Sequence, residues 1–287
     1  MLKQRVITAI VLLAVLLGAL LAPSRWPLVL LLTLAAACLL WEWLRLSWPG
    51  AGSRAGAVLG ILLALVLCTV ARQWLSGAPA QWAYSLLHIS NRWLVPLVSA
   101  AWVLGATAMV LRGDVAARGG SACLSVFGVL AVVVVWSALV QMFLAHGAWF
   151  LVSLLALIWC ADIAAYFAGR AWGRRKLAPR VSPGKTWEGA IAGVVVATAW
   201  VMISAWWPGS FGAALLQRMP WWAAVVAAAV LAALSIVGDL FESLLKRRAG
   251  LKDSSGLLPG HGGVYDRIDA LLPVAPIALL LTGAWIS

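Results

Sequence analysis

Ten charged side chains fall between Asp239 and Asp269: Asp239, Glu242, Lys246, Arg247, Arg248, Lys252, Asp253, Asp266, Arg267 and Asp269. These 31 residues also carry five loop glycines and join two long apolar runs. The full chain of 287 residues has only 21 Lys and Arg and 9 Asp and Glu, so a third of the charge sits in a ninth of the length. Charge is expensive beside hydrocarbon and usually marks function there. Carboxylates, bases and glycine amides in one segment are the shared equipment of metal-assisted phosphoryl and nucleotidyl transfer.

The rest of the chain must position this segment. Hydrophobic residues make up 64% and charged residues 10%, and mean hydropathy is +1.00. Too little polar surface exists to cover a water-soluble globule. Apolar runs without period-2 alternation imply helices rather than barrel strands. The expected fold is an all-α polytopic membrane protein with about nine spans: Val6–Ala22, Pro27–Trp43, Ala55–Ala71, Trp93–Leu111, Ser121–Leu144, Trp149–Gly169, Thr186–Trp206, Trp221–Lys246 and Ile268–Ile286. The first follows Lys3 and Arg5 like a signal peptide, but Ala19-Leu20-Leu21-Ala22 before Pro23 is a poor cleavage site, so it is expected to stay.

With a cytoplasmic N-terminus, 17 of the 21 basic residues fall on inner segments, the pair Arg112 and Arg118 among them, as the positive-inside rule requires. Only Arg25, Arg72, Arg92 and Arg218 lie outside. Tryptophans such as Trp26, Trp93, Trp149, Trp206 and Trp221 gather near helix ends as an aromatic belt. The basic excess is thus explained by a bilayer, and no nucleic acid is expected as partner. Residues 1–150 read as an N-terminal scaffold of transmembrane helices, and 151–287 as the catalytic region with two basic cytoplasmic loops. Function is expected in the second half, where seven of the nine carboxylates lie.

Asp239, Ser243 and Lys246 are spaced i, i+4, i+7 and share one helical face. Asp162, Tyr166 and Gly169 repeat that spacing two helices earlier. Both aspartates lie about 10 Å or slightly more from the inner helix ends, at 1.5 Å rise per residue. They could line one cavity, with Gly169 and Gly238 letting backbones approach. Asp266 and Asp269, three apart, can face one way at the start of the last helix, where Asp269 could also serve as a cap. Converging carboxylates call for a cation, and all-oxygen ligation suits Mg²⁺.

The loop from Arg170 to Lys185 adds six bases. Its end, Ser182-Pro183-Gly184-Lys185-Thr186, resembles the tail of a P-loop. The Walker glycine is replaced by Pro179 and no strand is expected before it, so Lys185 is kept as a phosphate ligand and the P-loop is rejected. Trp172 and Trp187 could stack a nucleobase but read as belt residues. Cys38, Cys68, Cys123 and Cys160 stand singly as packing groups. His88 and His146 read as interfacial. His261 reads as ordering its glycine loop rather than acting as a base.

The run Ser243-Leu244-Leu245-Lys246-Arg247, then Lys252-Asp253, then Leu258-Pro259-Gly260-His261-Gly262-Gly263-Val264-Tyr265-Asp266-Arg267-Ile268-Asp269 resembles the signature of the phosphatidate cytidylyltransferases. Asp162-Ile163-Ala164-Ala165-Tyr166, Gly169, and Ser182 through Gly189 resemble that family's upstream motifs. The likeness extends across the chain, though in the first half mainly in hydropathy. It implies transfer of CMP from CTP to phosphatidic acid, with CDP-diacylglycerol and pyrophosphate as products, in a bacterial inner membrane with the active site facing the cytoplasm. It implies a divalent metal on Asp239 and Asp266, with Asp162 and Asp269 as further candidates, a second monovalent cation such as K⁺, and a homodimer. Lys246 and Ser243 join the two aspartates as catalytic residues. Substrate contacts are expected from Lys185, Ser182, Thr186, Arg247, Lys252, Asp253, His261, Gly262, Gly263, Arg267 and Asp162.

Two rivals share parts of this pattern. A CTP-dependent lipid kinase would use similar loops to deliver the γ-phosphoryl group, but the complete run from His261 to Asp269 favours cytidylyl transfer. A transporter could use intramembrane carboxylates, but the charges gather toward one face and no pair of broken helices is matched.

Overall fold

The computed structural model describes residues 2–48, 52–116 and 120–285. Arg118 and Ile286, used above in the charge pattern and the last span, lie outside them. The long elements are α1 (Leu2–Leu21), α2 (Trp26–Ser47), α3 (Gly52–Leu75), α4 (Gln81–Arg112), α5 (Ala122–His146), α6 (Ala148–Trp172), α7 (Trp187–Ser204) and α9 (Trp221–Arg248). Shorter ones are α8 (Phe211–Arg218), α10 (Tyr265–Ile268) and α11 (Leu271–Thr282), with a hairpin of β1 (Lys176–Ala178) and β2 (Ser182–Thr186). By length and composition, seven helices among the described residues can cross a membrane: α2, α3 from Arg54, α4, α5, α6, α7 and α9. The protein is a helical, multi-pass membrane protein.

Three expectations need correction. The fourth span starts at Gln81 rather than Trp93. Its first turns carry Gln81, Ser85, His88, Ser90 and Asn91, which hydropathy reads as loop. Pro96 lies inside this helix, where it cannot donate to the carbonyl four residues back. The turn just before it widens to a π-helix over Ser90–Leu94, with the Val95 amide reaching the Ser90 carbonyl, as such turns do under strain.

The last span is divided. α10 stops at Ile268, and α11 holds 12 residues with Pro276 inside before the left-handed Gly283. Pro273 in its first turn is tolerated because that amide would be orphaned anyway. In α1 the apolar stretch counted among the described residues is Ile10–Leu21. The third correction concerns the basic loop, where Ser182–Thr186 is itself a strand, antiparallel to β1 in the register Lys176↔Thr186 and Ala178↔Ser182.

The contacts define two compact units. The first takes Met1–Val95, Ala117–Val140 and Leu245–Ile268; the second takes Pro96–Ala116, Gln141–Leu244 and Asp269–Ser287. In the first, the core is built on fully buried Trp43, which stacks on Tyr265 at 5.2 Å and donates its indole N–H to the Leu124 carbonyl at 2.8 Å. Trp136 donates to Thr33 Oγ1 at 2.9 Å. In the second, Trp102 meets Phe241 edge-on, and Phe150 meets Phe211. Trp43 and Trp136 thereby each give a buried indole donor its acceptor, as a dry core favours.

Candidate active site

In the second unit, a seam of small residues sets the geometry. Ala161, Ala165 and Gly169 on α6 face Gly189 and Gly193 on α7. A Cβ at Gly193 would lie 2.8 Å from the Ala161 carbonyl oxygen, and one at Gly189 2.7 Å from that of Ala165. The two helices are therefore in backbone contact, the role small residues play between membrane helices. Thr186 starts α7: its hydroxyl accepts the Gly189 amide at 3.2 Å as an N-cap. Gly169 sits against that hydroxyl, with its would-be Cβ 3.1 Å away.

Glu188, in the first turn of α7, fastens the hairpin. Its carboxylate accepts the Arg174 amide at 3.1 Å and the Arg175 amide at 3.2 Å, and the Trp187 amide reaches the Arg175 carbonyl at 2.9 Å. Strand β2 thus delivers Lys185 from a fixed base. Its ammonium lies 2.6 Å from Asp239 Oδ2, both side chains partly accessible. Asp239, Lys185 and Asp162 are all close enough to Asp269 to act on it electrostatically. Lys185 makes its direct ion pair with Asp239.

Gly238 permits this arrangement, since a Cβ there would lie 2.5 Å from the Asp269 carbonyl oxygen. Asp269 bonds the adjacent Ala270 amide at 2.8 Å and makes no side-chain cap of α11. On α9, Asp239, Ser243 and Lys246 form the half-buried stripe between buried Leu240, Phe241, Glu242, Leu244 and Leu245, as the i, i+4, i+7 spacing predicts.

The first unit contains the glycine loop. Asp266 Oδ1 receives the Lys246 ammonium at 2.6 Å. Its Oδ2 accepts the Ser254 amide at 3.0 Å, the Ser254 hydroxyl at 2.7 Å and the Gly263 amide at 2.8 Å. Gly262 has φ +81°, and a Cβ on it would lie 2.7 Å from Asp266 Oδ2; only glycine meets both demands. The Leu258 amide donates to the Gly262 carbonyl at 2.8 Å, and the His261 amide to that of Leu258 at 2.8 Å.

Arg267 grips the His261 carbonyl through Nε at 3.1 Å and Nη2 at 2.9 Å. Lys252 and Asp253 are exposed. Among the upstream candidates, Asp162 is exposed on α6, while Ser182 is half-buried in β2 and Thr186 is buried.

One residue of this unit escaped the sequence reading. Glu42, fully buried in α2, accepts the Ser255 hydroxyl at 2.6 Å and the Val264 amide at 3.0 Å on Oε1. On Oε2 it accepts the Tyr265 amide at 2.6 Å and the Ser254 hydroxyl at 2.9 Å. Glu42 and Asp114 are the two carboxylates of residues 1–150, and Glu42 stands between Trp41 and Trp43 in an apolar helix. An intramembrane carboxylate is itself a functional signal; that signal was available.

Among the described residues, no group of three or more His, Cys, Asp or Glu side chains is spaced to hold a metal ion. Mg²⁺ needs no such cluster, because it takes one or two carboxylates and completes its shell with phosphate oxygens and water. The donors here are hard oxygens, and each lysine ammonium shows that Asp239 Oδ2 and Asp266 Oδ1 accept a cation. The residues fit the ion.

The carboxylates, lysines and glycine loop of this helical membrane protein are of the kind that phosphate chemistry uses, and comparison with known proteins places it among the nucleotidyltransferases. The chain is a member of the cytidylyltransferase family, whose model matches residues 3–285. It is 39% identical over 292 residues to the phosphatidate cytidylyltransferase of Pseudomonas aeruginosa, covering 99% of each chain. It is 34% identical to the enzyme of that name from Haemophilus influenzae, over 96% of each chain. Against the phosphatidate cytidylyltransferase of Brucella suis it reaches 49% over 134 residues, 47% of this chain and 46% of that one.

Proposed function

We propose that this protein transfers CMP from CTP to phosphatidic acid, releasing pyrophosphate and leaving CDP-diacylglycerol in the membrane. What carries the reading is the likeness to a phosphatidate cytidylyltransferase over 99% of both chains, together with the unbroken run from Ser243 to Asp269. A phosphate oxygen of the lipid attacks the α-phosphorus of CTP, and the bond from that phosphorus to the bridging oxygen of the β-phosphate breaks. The nucleophile is already an anion, so positioning and charge neutralisation suffice for the chemistry.

On the family likeness alone, Asp239 and Asp266 are assigned to Mg²⁺, with Asp162 and Asp269 as further candidates. Bound there, the ion would neutralise phosphate oxygens and the leaving pyrophosphate. Lys185, Lys246, Arg247 and Lys252 hold phosphate groups, and Ser243 assists. The balance of basic residues supports an active site on the cytoplasmic side of an inner membrane, and nine spans remain part of the proposal. A homodimer and a monovalent second cation rest on the family likeness.

Purified protein in detergent tests the reading. With CTP, phosphatidic acid and Mg²⁺, pyrophosphate and CDP-diacylglycerol should form in equal amounts, and omitting either substrate or chelating the metal should stop both. Release of CDP with a newly phosphorylated lipid would contradict it.

A further inference from the structure

Glu42 holds a place that the proposed chemistry does not explain. Two amides and two serine hydroxyls stand within hydrogen-bond distance of one fully buried carboxylate, and all four groups come from a segment more than 200 residues further along the chain. Gly263 has no side chain because its place is filled. A Cβ there would overlap Ser254 Oγ and lie 2.5 Å from both carboxylate oxygens of Glu42. The neighbouring Trp43 stacks on Tyr265, whose amide Glu42 accepts.

The connection to Asp266 runs through Ser254. Its hydroxyl lies 2.9 Å from Glu42 Oε2 and 2.7 Å from Asp266 Oδ2. A hydroxyl has one proton, so Ser254 donates to one of these carboxylates at a time, while its oxygen stands within bonding distance of both. Its backbone amide and that of Gly263 also bond Asp266 Oδ2. Two amides thereby hold that oxygen with the Ser254 hydroxyl beside it, and Oδ1 faces the Lys246 ammonium.

We propose that Glu42 is a positioning residue for Asp266, acting through Ser254 and the Gly263–Tyr265 backbone. Given the role proposed for Asp266, Glu42 sets which of its oxygens serves the reaction. Ser255 supplies the control. It also donates its hydroxyl to Glu42, but Asp266 is bonded by Ser254 and Gly263.

If Glu42 only secured the loop, losing either hydroxyl would act alike. The positioning role predicts that Ser254→Ala lowers kcat by roughly 30-fold or more, with KM for CTP within about threefold. Ser255→Ala should lose no more than about threefold in kcat. Glu42→Gln should match Ser254→Ala, and combining them should add little, as for residues acting as a unit.

Amide hydrogen exchange reads the same arrangement without turnover. In Glu42→Gln, exchange at Gly263 and Tyr265 should rise about tenfold or more while α5 keeps its protection. Equal losses of kcat in Ser254→Ala and Ser255→Ala, or unchanged exchange in folded Glu42→Gln, would overturn the proposal. A wild-type protein that exchanges as expected but transfers no CMP would instead overturn the function on which it rests.

Discussion

Asp239 and Asp266 each meet a lysine ammonium at 2.6 Å, yet their surroundings differ. Asp266 has one oxygen held by two loop amides beside the Ser254 hydroxyl, whereas Asp239 is partly accessible on its helix. Replacing either by Asn keeps the volume and removes the charge. Each change should lower turnover by roughly 10³-fold or more, the cost of several kcal/mol of lost transition-state stabilisation. Thermal unfolding of Asp239→Asn should stay near wild type, so a rate assay beside a melting curve separates chemistry from folding. Asp239 and Lys246 stood out in the sequence because they break an apolar run at helical spacing, Asp266 because it follows the glycine run, and Lys185 because it ends a basic loop. Glu42, Glu188, Ser254 and Ser255 were not assigned, since only tertiary contact shows what they hold.

The seam between α6 and α7 and the hairpin that precedes α7 decide where Lys185 stands. Most of the helices were legible as apolar runs of membrane length. The hairpin was not, because strands of three and five residues set among Pro179, Pro183 and basic side chains leave no periodicity to read. Gly193 tests the seam. A valine there would press on the Ala161 carbonyl and force the helices apart, costing about 1–3 kcal/mol, typical of overpacking. Thermal unfolding should register the loss, and activity should fall further as Lys185 is displaced from Asp239. Gly184, whose would-be Cβ meets nothing within 4 Å, is the contrast: Gly184→Ala should leave the melting temperature nearly unchanged.

For the molecule as a whole, the proposed orientation rests on charge. With 17 of 21 basic residues on the segments read as cytoplasmic, the nine proposed spans would put the N-terminus inside and the C-terminus outside. The division of the last span was not legible, because the interruption at residues 269–270 and the left-handed Gly283 bound α11 within a run whose hydropathy alone spans a bilayer. A reporter active only outside the cytoplasm should therefore work when fused after residue 285 and fail when fused in the loop after Arg248. Activity in both places, or in neither, would contradict the nine-span topology.

The central claim is cytidylyl transfer, and the position of a label in CTP tests it most directly. Purified protein would be given phosphatidic acid, Mg²⁺ and CTP labelled at either the α or the γ phosphorus. The account predicts label in the lipid from the α position alone, with γ-label recovered as pyrophosphate. Label entering lipid from the γ position, or no transfer from either by folded, metal-replete protein, would contradict it.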